Sequence, residues 1–309
     1  MRVAVTGSSG LIGTALLARL RAGGHEGLPV RRGARTEDGV AWLPDEGWIE
    51  AGALEGVDAV VHLAGESIGD GRWTKRRKRA IRDSRIDSTR LLVEHMATLT
   101  RPPRVFVCGS AIGYYGDRGG EELREDASTG EGFLAEVVRD WEREASGAAR
   151  PGTRVVSLRT AVVLAPRGGA LQRMRTPFRL GVGGRLGSGR QWMSWITLED
   201  EVRAIEWVLT HDDVSGPVNL SAPHPVTNRE FTKALGRELH RPTRFPVPGF
   251  ALRIILGEMA EELLLHGQRV LPEKLLRSGF GFEHETVEEG LQAVLATPAG
   301  SGEVAASSA

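Results

Sequence analysis

The beginning of the chain combines an apolar run, three glycines and a helical apolar repeat. Residues 2–6 form a short apolar run with β-branched members, and leucines recur at helical spacing within residues 16–20. Gly7, Gly10 and Gly13 lie between these two patterns. This order predicts a strand, a glycine turn and a helix at the start of an α/β unit.

Further apolar runs alternate with helical patterns. Residues 57–63, 104–108 and 154–164 are nearly continuous apolar runs, as is typical of parallel strands that are buried on both faces. Helices are predicted over the later part of residues 69–100 and over residues 133–149. The alternation predicts an α/β fold of the Rossmann type, with a doubly wound parallel sheet.

The alternation weakens after residue 166. We predict that residues 1–166 form a Rossmann domain that binds a dinucleotide, and that strands from residues 190–222 contribute to its sheet. Most of residues 167–297 are predicted to form a smaller, mixed substrate-binding domain. Residues 298–309 are small and polar, which predicts a disordered tail.

Capping signals and periodicity place three helices in the second half of the chain. Asn228 is predicted to be the N-cap of the first, which runs to about His240. An apolar helix is predicted over residues 250–265, and a last helix is predicted to begin at Thr286.

The three glycines at the start of the chain have separate predicted roles. Gly7 allows a tight turn, Gly10 lets backbone N–H groups approach a pyrophosphate, and Gly13 lets the helix pack closely on the sheet. The anion would lie at the helix N-terminus, where free donors and the helix dipole stabilise it. The predicted cofactor contacts here and at the end of the 57–63 strand are Gly7, Ser9, Gly10, Leu11, Ile12, Gly13, Leu63, Ala64 and Gly65. The alternative is a strand–helix turn without a ligand.

A second apolar strand is predicted over residues 27–30, and the residues at its end indicate which dinucleotide is bound. An NAD site usually has an acidic residue there for the ribose 2′-hydroxyl, whereas this chain has Arg31 and Arg32. Two guanidinium groups suit a 2′-phosphate, so NADP is favoured over NAD. The alternative interpretation is a solvated basic loop.

Residue counts narrow the class of protein. Lys plus Arg and Asp plus Glu are both 40, so the net charge of zero favours neither nucleic acid nor a membrane as partner. Cys108 is the single cysteine, which excludes an internal disulfide and a paired-cysteine metal site, and no metal is predicted. The sequence shows no signal-peptide pattern and no apolar run of about 18 residues, so a cytoplasmic protein is expected.

A dense basic run extends over residues 72–85. We interpret it as a solvated helix face, with an anionic substrate as the alternative because the run follows a strand end, where α/β proteins bind ligands. Asp83 and Asp87 disfavour a nucleic-acid interface. Trp73 is either a substrate platform or a buried anchor.

Two polar residues lie within or just after predicted strands. Ser110 follows the 104–108 strand, where its hydroxyl could orient a substrate oxygen or, alternatively, bond its own backbone in a turn. His62 lies inside the 57–63 strand and is interpreted as a core histidine.

Several motifs, taken in order, resemble those of a known superfamily. TGSSGLIG, VVHLAG, the strand end at Ser110 and SWITLED resemble the extended short-chain dehydrogenases/reductases. GE-x-I-x-x-x-RW-T (residues 65–74), SAIGYYGDRG and GGRLGSGRQWMSWI are similar to the atypical, epimerase-like branch, whose best-known members are NAD(P)-dependent sugar-nucleotide epimerase proteins. The resemblance covers the chain up to about Pro298. It implies a Rossmann fold, NAD(P), a small C-terminal substrate domain and, by analogy, a homodimer.

The chain departs from the superfamily at the catalytic motif. The superfamily uses a Tyr-x-x-x-Lys pair on the helix after the serine, in which the lysine lowers the tyrosine pKa for proton transfer. Aligning Glu142 with the glutamate that often follows this motif places Leu134 and Val138 at the two positions, and neither can exchange a proton. Tyr114 and Tyr115 are the two tyrosines of the chain. A nearby cation is expected to lower the pKa of the tyrosine that serves as acid and base.

Two functions of different classes follow. The first is an NADP-dependent oxidoreductase or epimerase that acts on a hydroxyl or carbonyl carbon of a polar substrate. Ser110 is predicted to orient the reacting oxygen, and Tyr115, or alternatively its neighbour Tyr114, is predicted to be the proton donor. The predicted substrate contacts are Glu66, Arg72, Trp73, Arg159, Trp192 and Trp195. If no tyrosine carries the proton, the substrate, water or an acid such as Glu66 does. The second function is a regulatory protein that binds NADPH without turnover, as the missing Tyr/Lys pair suggests.

Overall fold

The computed structural model describes residues 1–33, 39–150 and 152–296. The tail predicted at residues 298–309 lies outside these described residues. The strands are β1 (Arg2–Thr6), β2 (Glu26–Arg32), β3 (Val40–Leu43), β4 (Trp48–Ile49), β5 (Ala59–His62), β6 (Val105–Ala111), β7 (Glu122–Leu123), β8 (Arg154–Thr160), β9 (Val162–Leu164), β10 (Trp192–Met193), β11 (Trp195–Thr197), β12 (Gly216–Leu220), β13 (Val226–Thr227) and β14 (Arg269–Val270). The α-helices are α1 (Leu11–Ala22), α2 (Lys75–Ala97), α3 (Phe133–Ser146), α4 (Gly169–Arg179), α5 (Leu198–Thr210), α6 (Asn228–Glu238), α7 (Gly249–Leu256), α8 (Glu258–Ala260), α9 (Glu273–Arg277) and α10 (Val287–Ala296).

Within the described residues, eight strands form one large sheet. Their spatial order is β12-β8-β6-β5-β1-β2-β3-β4, and all neighbours are parallel except β3 and β4. From the centre of the sheet, the strands follow in the order β1, β2, β3 and β4 toward one edge and β5, β6, β8 and β12 toward the other. The strand order therefore reverses between β1 and β5, and ligands of such sheets bind at this switch point. The fold is the predicted Rossmann-type α/β fold.

Helices cover both faces of the sheet because side chains of each buried strand alternate between the faces. Val3 and Val5 of β1 pack with α1 and α5, whereas Ala4 packs with α2 and α3. None of the described helices is both long and apolar enough to cross a membrane.

Parts of the second half of the chain other than α5 and β12 form a smaller layer beside the sheet. Its core joins α4, α6 and α10 around Trp195. The apolar run at residues 154–164, predicted as one strand, divides at Ala161. The amide of Ala161 still bonds Leu220 of β12, but that of Val162 bonds Ser194, so β9 leaves the large sheet and pairs with β11.

Two predicted helix boundaries are corrected. Thr227, not Asn228, is the N-cap of α6, since its hydroxyl accepts the amide of Glu230 and the Glu230 carboxylate accepts the amide of Thr227. The helix predicted over residues 250–265 is interrupted at Gly257, whose φ is +64°. It divides into α7, α8 and a π-helical turn over Glu261–Leu265.

Candidate functional site

The glycine turn lies where β1 and β5 end. Gly7 has a φ of +63°, and a Cβ on it would lie 2.7 Å from the carbonyl carbon of Leu63. A Cβ on Gly13 would lie 2.2 Å from the carbonyl oxygen of Gly7. Because no side chain fits at either position, both glycines are required for the tight turn and for the close packing of α1.

The N-terminus of α1 is open. Gly10 is its N-cap without a side-chain capping bond, and the amides of Leu11 and Ile12 have no partner among the described residues. A Cβ on Gly10 would have one neighbour within 4 Å, the carbonyl oxygen of Gly7 at 3.1 Å. Ser9 is exposed beside these donors. Unpaired amides at the positive end of a helix dipole suit a diphosphate group.

Thr6 fixes the ends of β1 and β5 relative to each other. Its hydroxyl oxygen accepts the amides of Leu63 at 3.1 Å and Ala64 at 3.2 Å. The Thr6 proton is therefore left for Nδ1 of His62 at 2.7 Å, and Nε2 of His62 donates to Ser88 at 3.1 Å. Burial lowers the pKa of His62 to about 3, so the ring is neutral. His62 is a core residue, as predicted.

Arg31 and Arg32 end β2, whose Val30 is the register partner of Thr6 in β1. Both arginine side chains are exposed. Arg32 pairs with Asp45 at 3.3 Å, whereas Arg31 has no side-chain partner among the described residues. A cleft of about 500 Å³ beside Arg32 is also lined by Asp45, Ser84, Asp87, Ser88 and Leu91. Two exposed guanidinium groups next to a cleft suit a phosphorylated ribose.

Ser110 is buried at the end of β6 and is bound to a side chain of α3. Its hydroxyl donates to Glu142 at 2.6 Å. The same carboxylate accepts Nε of Arg159 at 2.8 Å and Nη2 at 2.9 Å. The Arg159 side chain is 3% exposed and that of Glu142 is 15% exposed, so this bidentate pair is largely shielded from solvent. The predicted substrate contact of Arg159 is corrected to a structural ion pair.

Tyr115 is fully buried, and both hydrogen bonds of its hydroxyl are made within the protein. The hydroxyl accepts Nη1 of Arg159 at 2.9 Å and donates to the amide oxygen of Asn219 at 2.7 Å. Burial raises the pKa of Tyr115 to about 12, because desolvation outweighs the effect of the Arg159 charge. Arg159 does act to lower the pKa, as expected of a neighbouring cation, but the pKa of Tyr115 as a whole is raised and not lowered.

Tyr114 lies beside this network but is only half-buried. The guanidinium carbon of Arg159 is 3.5 Å from the centroid of the Tyr114 ring, within the range of a cation–π interaction. The ring also meets that of Tyr115 edge-on, with centroids 5.4 Å apart. The Tyr114 hydroxyl has no hydrogen-bond partner among the described residues, so it is available to a ligand.

Helix α3 has apolar residues where the superfamily has tyrosine and lysine. Leu134 and Val138 are 8% and 3% exposed and cannot transfer a proton. The N-terminus of α3 is capped from a distant part of the chain, since the Glu262 carboxylate accepts the amides of Phe133 at 3.0 Å and Leu134 at 3.3 Å. This cap was not predicted, because nothing in the local sequence links residues so far apart.

Trp73 is a buried anchor. It is 8% exposed, and its indole N–H donates to the carbonyl of Ile68 at 2.8 Å. Its ring packs edge-on against Phe133 with centroids 5.2 Å apart. This burial corrects the predicted substrate contact and favours the second interpretation of the residue.

The loop after β5 presents Glu66 and Arg72. Glu66 keeps 41% of its side chain exposed, and its carbonyl accepts the guanidinium of Arg85 at 3.0 Å. Arg85 also lies under the loop backbone, 3.3 Å from where a Cβ on Gly65 would be. Arg72 is exposed beside Gly257 and has no ion pair among the described residues.

Carboxylates offset part of the basic run. Its ion pairs to other segments are Arg77 with Glu66 at 2.6 Å, Lys78 with Glu258 at 2.7 Å and Arg82 with Asp140 at 3.2 Å. These pairs lie at the surface and favour the predicted solvated helix face. They also join α2 to α3 and to α8 of the second half.

The two tryptophans predicted to contact substrate have different environments. Trp192 is half-buried, 4.6 Å from the guanidinium of Arg269, and lines a cleft of about 340 Å³ with Asp117, Gly120, Arg190, Gln191 and Leu265. Trp195 is 0% exposed, and a Cβ on Gly290 would lie 2.6 Å from its ring. Trp195 is therefore a core residue, which corrects its predicted contact with substrate.

Asn219 is a site residue that was not predicted from the sequence. It is fully buried in β12, where its amide nitrogen donates to Leu271 at 2.9 Å and its backbone amide donates to Glu125 at 3.1 Å. A polar residue inside a short apolar strand was the available signal, because buried polar side chains almost always have partners. No group of three or more potential ligand side chains in the described ranges is arranged to hold a metal ion.

Comparisons with known proteins agree with this geometry. The profile of the NAD-dependent epimerase/dehydratase family matches residues 3–221, and a domain of unknown function matches residues 247–294. An epimerase family protein of Mycobacterium tuberculosis is 48% identical over 290 residues, with 94% of this chain and 96% of the relative covered. The epimerase family protein YfhF of Bacillus subtilis is 37% identical over 302 residues, with 96% and 98% covered.

A similar solved structure is that of a human protein. It is the crystal structure of the human epimerase family protein SDR39U1 with NADPH, which has a TM-score of 0.87 and 34% sequence identity and covers 96% of this chain and 99% of the human chain. The profile match and the extent of these alignments agree with the resemblance seen in the motifs. The chain belongs to the NAD-dependent epimerase/dehydratase family, within the epimerase-like short-chain dehydrogenases/reductases.

Proposed function

We propose that this protein is an NADP-dependent oxidoreductase or epimerase that acts on a hydroxyl or carbonyl carbon of a polar substrate. The observation that carries the proposal is the uncapped N-terminus of α1 at the switch point of the sheet, with Arg31 and Arg32 at the neighbouring strand end. The NADPH in the human relative supports it. When bound, the nicotinamide would donate or accept a hydride.

The residues around the turn divide the binding of the cofactor between them. The free amides of Leu11 and Ile12 would hold the diphosphate, and Arg31 and Arg32 would bind the 2′-phosphate. The pair of Arg32 with Asp45 is weak, because the two side chains are 52% and 76% exposed, so Arg32 can exchange it for a phosphate at little cost.

Tyr114, and not Tyr115 as expected from the sequence, is the proposed proton donor, because both hydrogen bonds of the Tyr115 hydroxyl are made within the protein. Ser110 and Tyr115 are bound to Glu142 and Asn219, so we assign them to positioning rather than to proton transfer. The Arg159 guanidinium, 3.5 Å from the centroid of the Tyr114 ring, would hold this ring in place by a cation–π interaction. Glu66 is the alternative acid, since it lies in the loop after β5 and is partly exposed.

Exposed polar side chains define the proposed substrate contacts. Arg72 and Glu66 lie in the loop after β5, and Trp192 lines the cleft near Arg190. The cations favour a polar or anionic substrate. A homodimer and a cytoplasmic location, expected from the sequence, stay predictions.

The cofactor assignment is tested by calorimetry. The double variant Arg31→Ala/Arg32→Ala should raise the Kd for NADPH roughly 100-fold, since two charge-assisted contacts are lost, and should leave the Kd for NADH nearly unchanged. The matched control is Arg21→Ala, which removes an exposed arginine from the end of α1. Equal affinity of the double variant and the wild type for NADPH would refute the assignment.

The proton donor is tested by comparing the two tyrosines. NADPH oxidation is followed with a panel of sugar nucleotides and carbonyl compounds, and then with Tyr114→Phe and Tyr115→Phe. We expect Tyr114→Phe to lower kcat about 100-fold or more with an unchanged unfolding midpoint. We expect Tyr115→Phe to lower the unfolding midpoint instead, because it leaves Asn219 without its donor. Full turnover by Tyr114→Phe would exclude this tyrosine.

The second candidate is a binding protein that responds to NADPH without turnover. Leu134 and Val138 favour it, since they replace both proton-transferring residues of the superfamily. Tight NADP⁺ binding together with no NADPH oxidation across the whole panel would favour this function over the enzyme.

A further inference from the structure

Large exposed apolar side chains are concentrated in two segments, residues 179–190 and 239–257. Nine such side chains are exposed in the described part of the chain, and these segments hold two thirds of them. We call this set the apolar patch: Leu180, Val182, Phe245, Phe250, Ile254 and Ile255, which are 56–73% exposed. Exposed apolar side chains grouped in this way commonly mark an interaction surface.

The two segments are held side by side by backbone contacts. The amide of Val247 donates to Arg185 and the amide of Gly187 donates to Val247, both at 2.9 Å. Nε of Arg241 donates to the carbonyl of Arg179 at 3.3 Å. A Cβ on Gly184 would overlap the carbonyl oxygen of Phe245. The patch is therefore one region of the fold although its halves lie far apart in the sequence.

Helix α7 presents apolar side chains on the face opposite to its buried residue. Leu252 is 9% exposed, whereas Phe250 and Ile254 are 64% and 70% exposed. Residues two positions before and after a buried one lie on the other side of an α-helix. Ordinary packing would place polar residues there, as in a surface helix of a globular protein.

The charged residues inside the two segments are all basic. Neither segment contains Asp or Glu, and together they contain Arg179, Arg185, Arg190, Arg241, Arg244 and Arg253. Arg253 pairs with Glu261. Arg179, Arg241 and Arg244 are exposed and have no carboxylate partner among the described residues. The net charge of zero for the whole chain hides this local excess of positive charge.

We propose that the apolar patch binds the surface of an anionic membrane. Apolar side chains that protrude among arginines suit the boundary between headgroups and acyl chains, where both the apolar and the charged groups are stabilised. A second copy of the chain is disfavoured, because a two-fold contact would place these arginines against each other without a carboxylate between them. The net charge gave no indication of such a partner, since it averages over the chain.

The proposal is tested by flotation of the full chain with vesicles. We expect co-flotation with vesicles that contain phosphatidylglycerol and none with phosphatidylcholine alone. Phe250→Ser/Ile254→Ser should reduce binding more than ten-fold, since two inserted side chains are removed. Arg179→Gln/Arg244→Gln should reduce it roughly ten- to thirty-fold and weaken its dependence on salt.

Leu276→Ser is the matched control, since Leu276 is 47% exposed outside both segments and its loss should leave flotation unchanged. An unchanged unfolding midpoint shows that each variant is folded, so the result does not depend on the proposed cofactor binding or enzyme activity. The proposal is overturned if the wild type does not float with anionic vesicles, or if it floats equally with neutral ones. It is also overturned if the wild type is a dimer that Phe250→Ser/Ile254→Ser converts to a monomer.

Discussion

Glu142 accepts a hydrogen bond from the hydroxyl of Ser110, with 2.6 Å between Oγ and Oε1, and this bond connects the end of β6 to α3. The same carboxylate holds Arg159, and Arg159 in turn donates to Tyr115. One carboxylate thus connects a serine, an arginine and a tyrosine that the sequence indicated as separate site candidates. The Tyr115 hydroxyl is occupied within this network, whereas the Tyr114 hydroxyl has no hydrogen-bond partner among the described residues.

The first prediction concerns the stability that Glu142 provides. Glu142→Gln removes the charge that compensates the buried Arg159 and should lower the free energy of unfolding by about 3 kcal/mol, because the guanidinium is left without a carboxylate. Urea unfolding measures the difference. The control is Glu144→Gln on the same helix, which breaks the exposed pair with Arg90 and should cost less than about 1 kcal/mol. Equal effects of the two substitutions would contradict a structural role for the network.

The second prediction separates the glycines that shape the turn from the one that admits a ligand. Gly10→Ala should leave the unfolding free energy within about 1 kcal/mol of the wild type, because its Cβ would have a single close neighbour. It should nevertheless weaken NADPH binding about ten-fold or more, since the methyl group would occupy the space of the diphosphate. Calorimetry and urea unfolding measure the two effects.

Two further glycine substitutions serve as controls for this prediction. Gly13→Ala should destabilise the fold itself, because its Cβ would overlap the Gly7 carbonyl oxygen at 2.2 Å. Gly281→Ala should change neither quantity, since no atom lies within 4 Å of its Cβ position. Unchanged NADPH affinity in Gly10→Ala would mean that the diphosphate is bound elsewhere.

The parts of the fold that could be predicted depend on local rules. The strand, glycine turn and helix at residues 2–22 follow from spacing alone, because few residue types permit a tight turn and close helix packing. The division of residues 154–164 at Ala161 could not be predicted, because it depends on whether the next amide finds its partner in β12 or near β11. An apolar run indicates that a strand is buried, but it does not indicate which strand lies next to it in the sheet.

The side-chain contacts of the site also could not be predicted from local sequence. Ser110, Arg159 and Tyr115 were recognised as chemically notable, but their partners are 32, 17 and 104 residues away in the chain. The sequence therefore could not indicate that these groups bind each other rather than a substrate. Trp73 and Trp195 illustrate the same point, since an aromatic residue near a motif can be a ligand platform or a buried anchor.

Glu201 is a carboxyl group inside the core at the start of α5. It is 0% exposed, and one oxygen accepts the hydroxyl of Thr160 at 2.9 Å. The other oxygen is buried without a partner among the described residues. Burial raises the pKa of Glu201 to about 8, because few groups compensate a charge there. The unfolded chain releases this proton near the ordinary value of about 4.3.

The last prediction follows from this difference. The pKa of Glu201 is higher in the folded protein than in the unfolded chain. The stability that Glu201 contributes is therefore complete below about pH 4 and is lost as the pH rises to about 8. At pH 7 the loss in unfolding free energy is up to about 3 kcal/mol. Glu201→Gln cannot ionise, so the difference in unfolding free energy between pH 5 and pH 8 should become smaller in this variant. Urea unfolding at the two pH values measures it, with Glu199→Gln as the control, since Glu199 is an exposed residue of the same helical turn. If Glu201→Gln keeps the pH dependence of the wild type, the carboxyl is ionised in the folded protein, and its free oxygen must have a partner such as an ordered water.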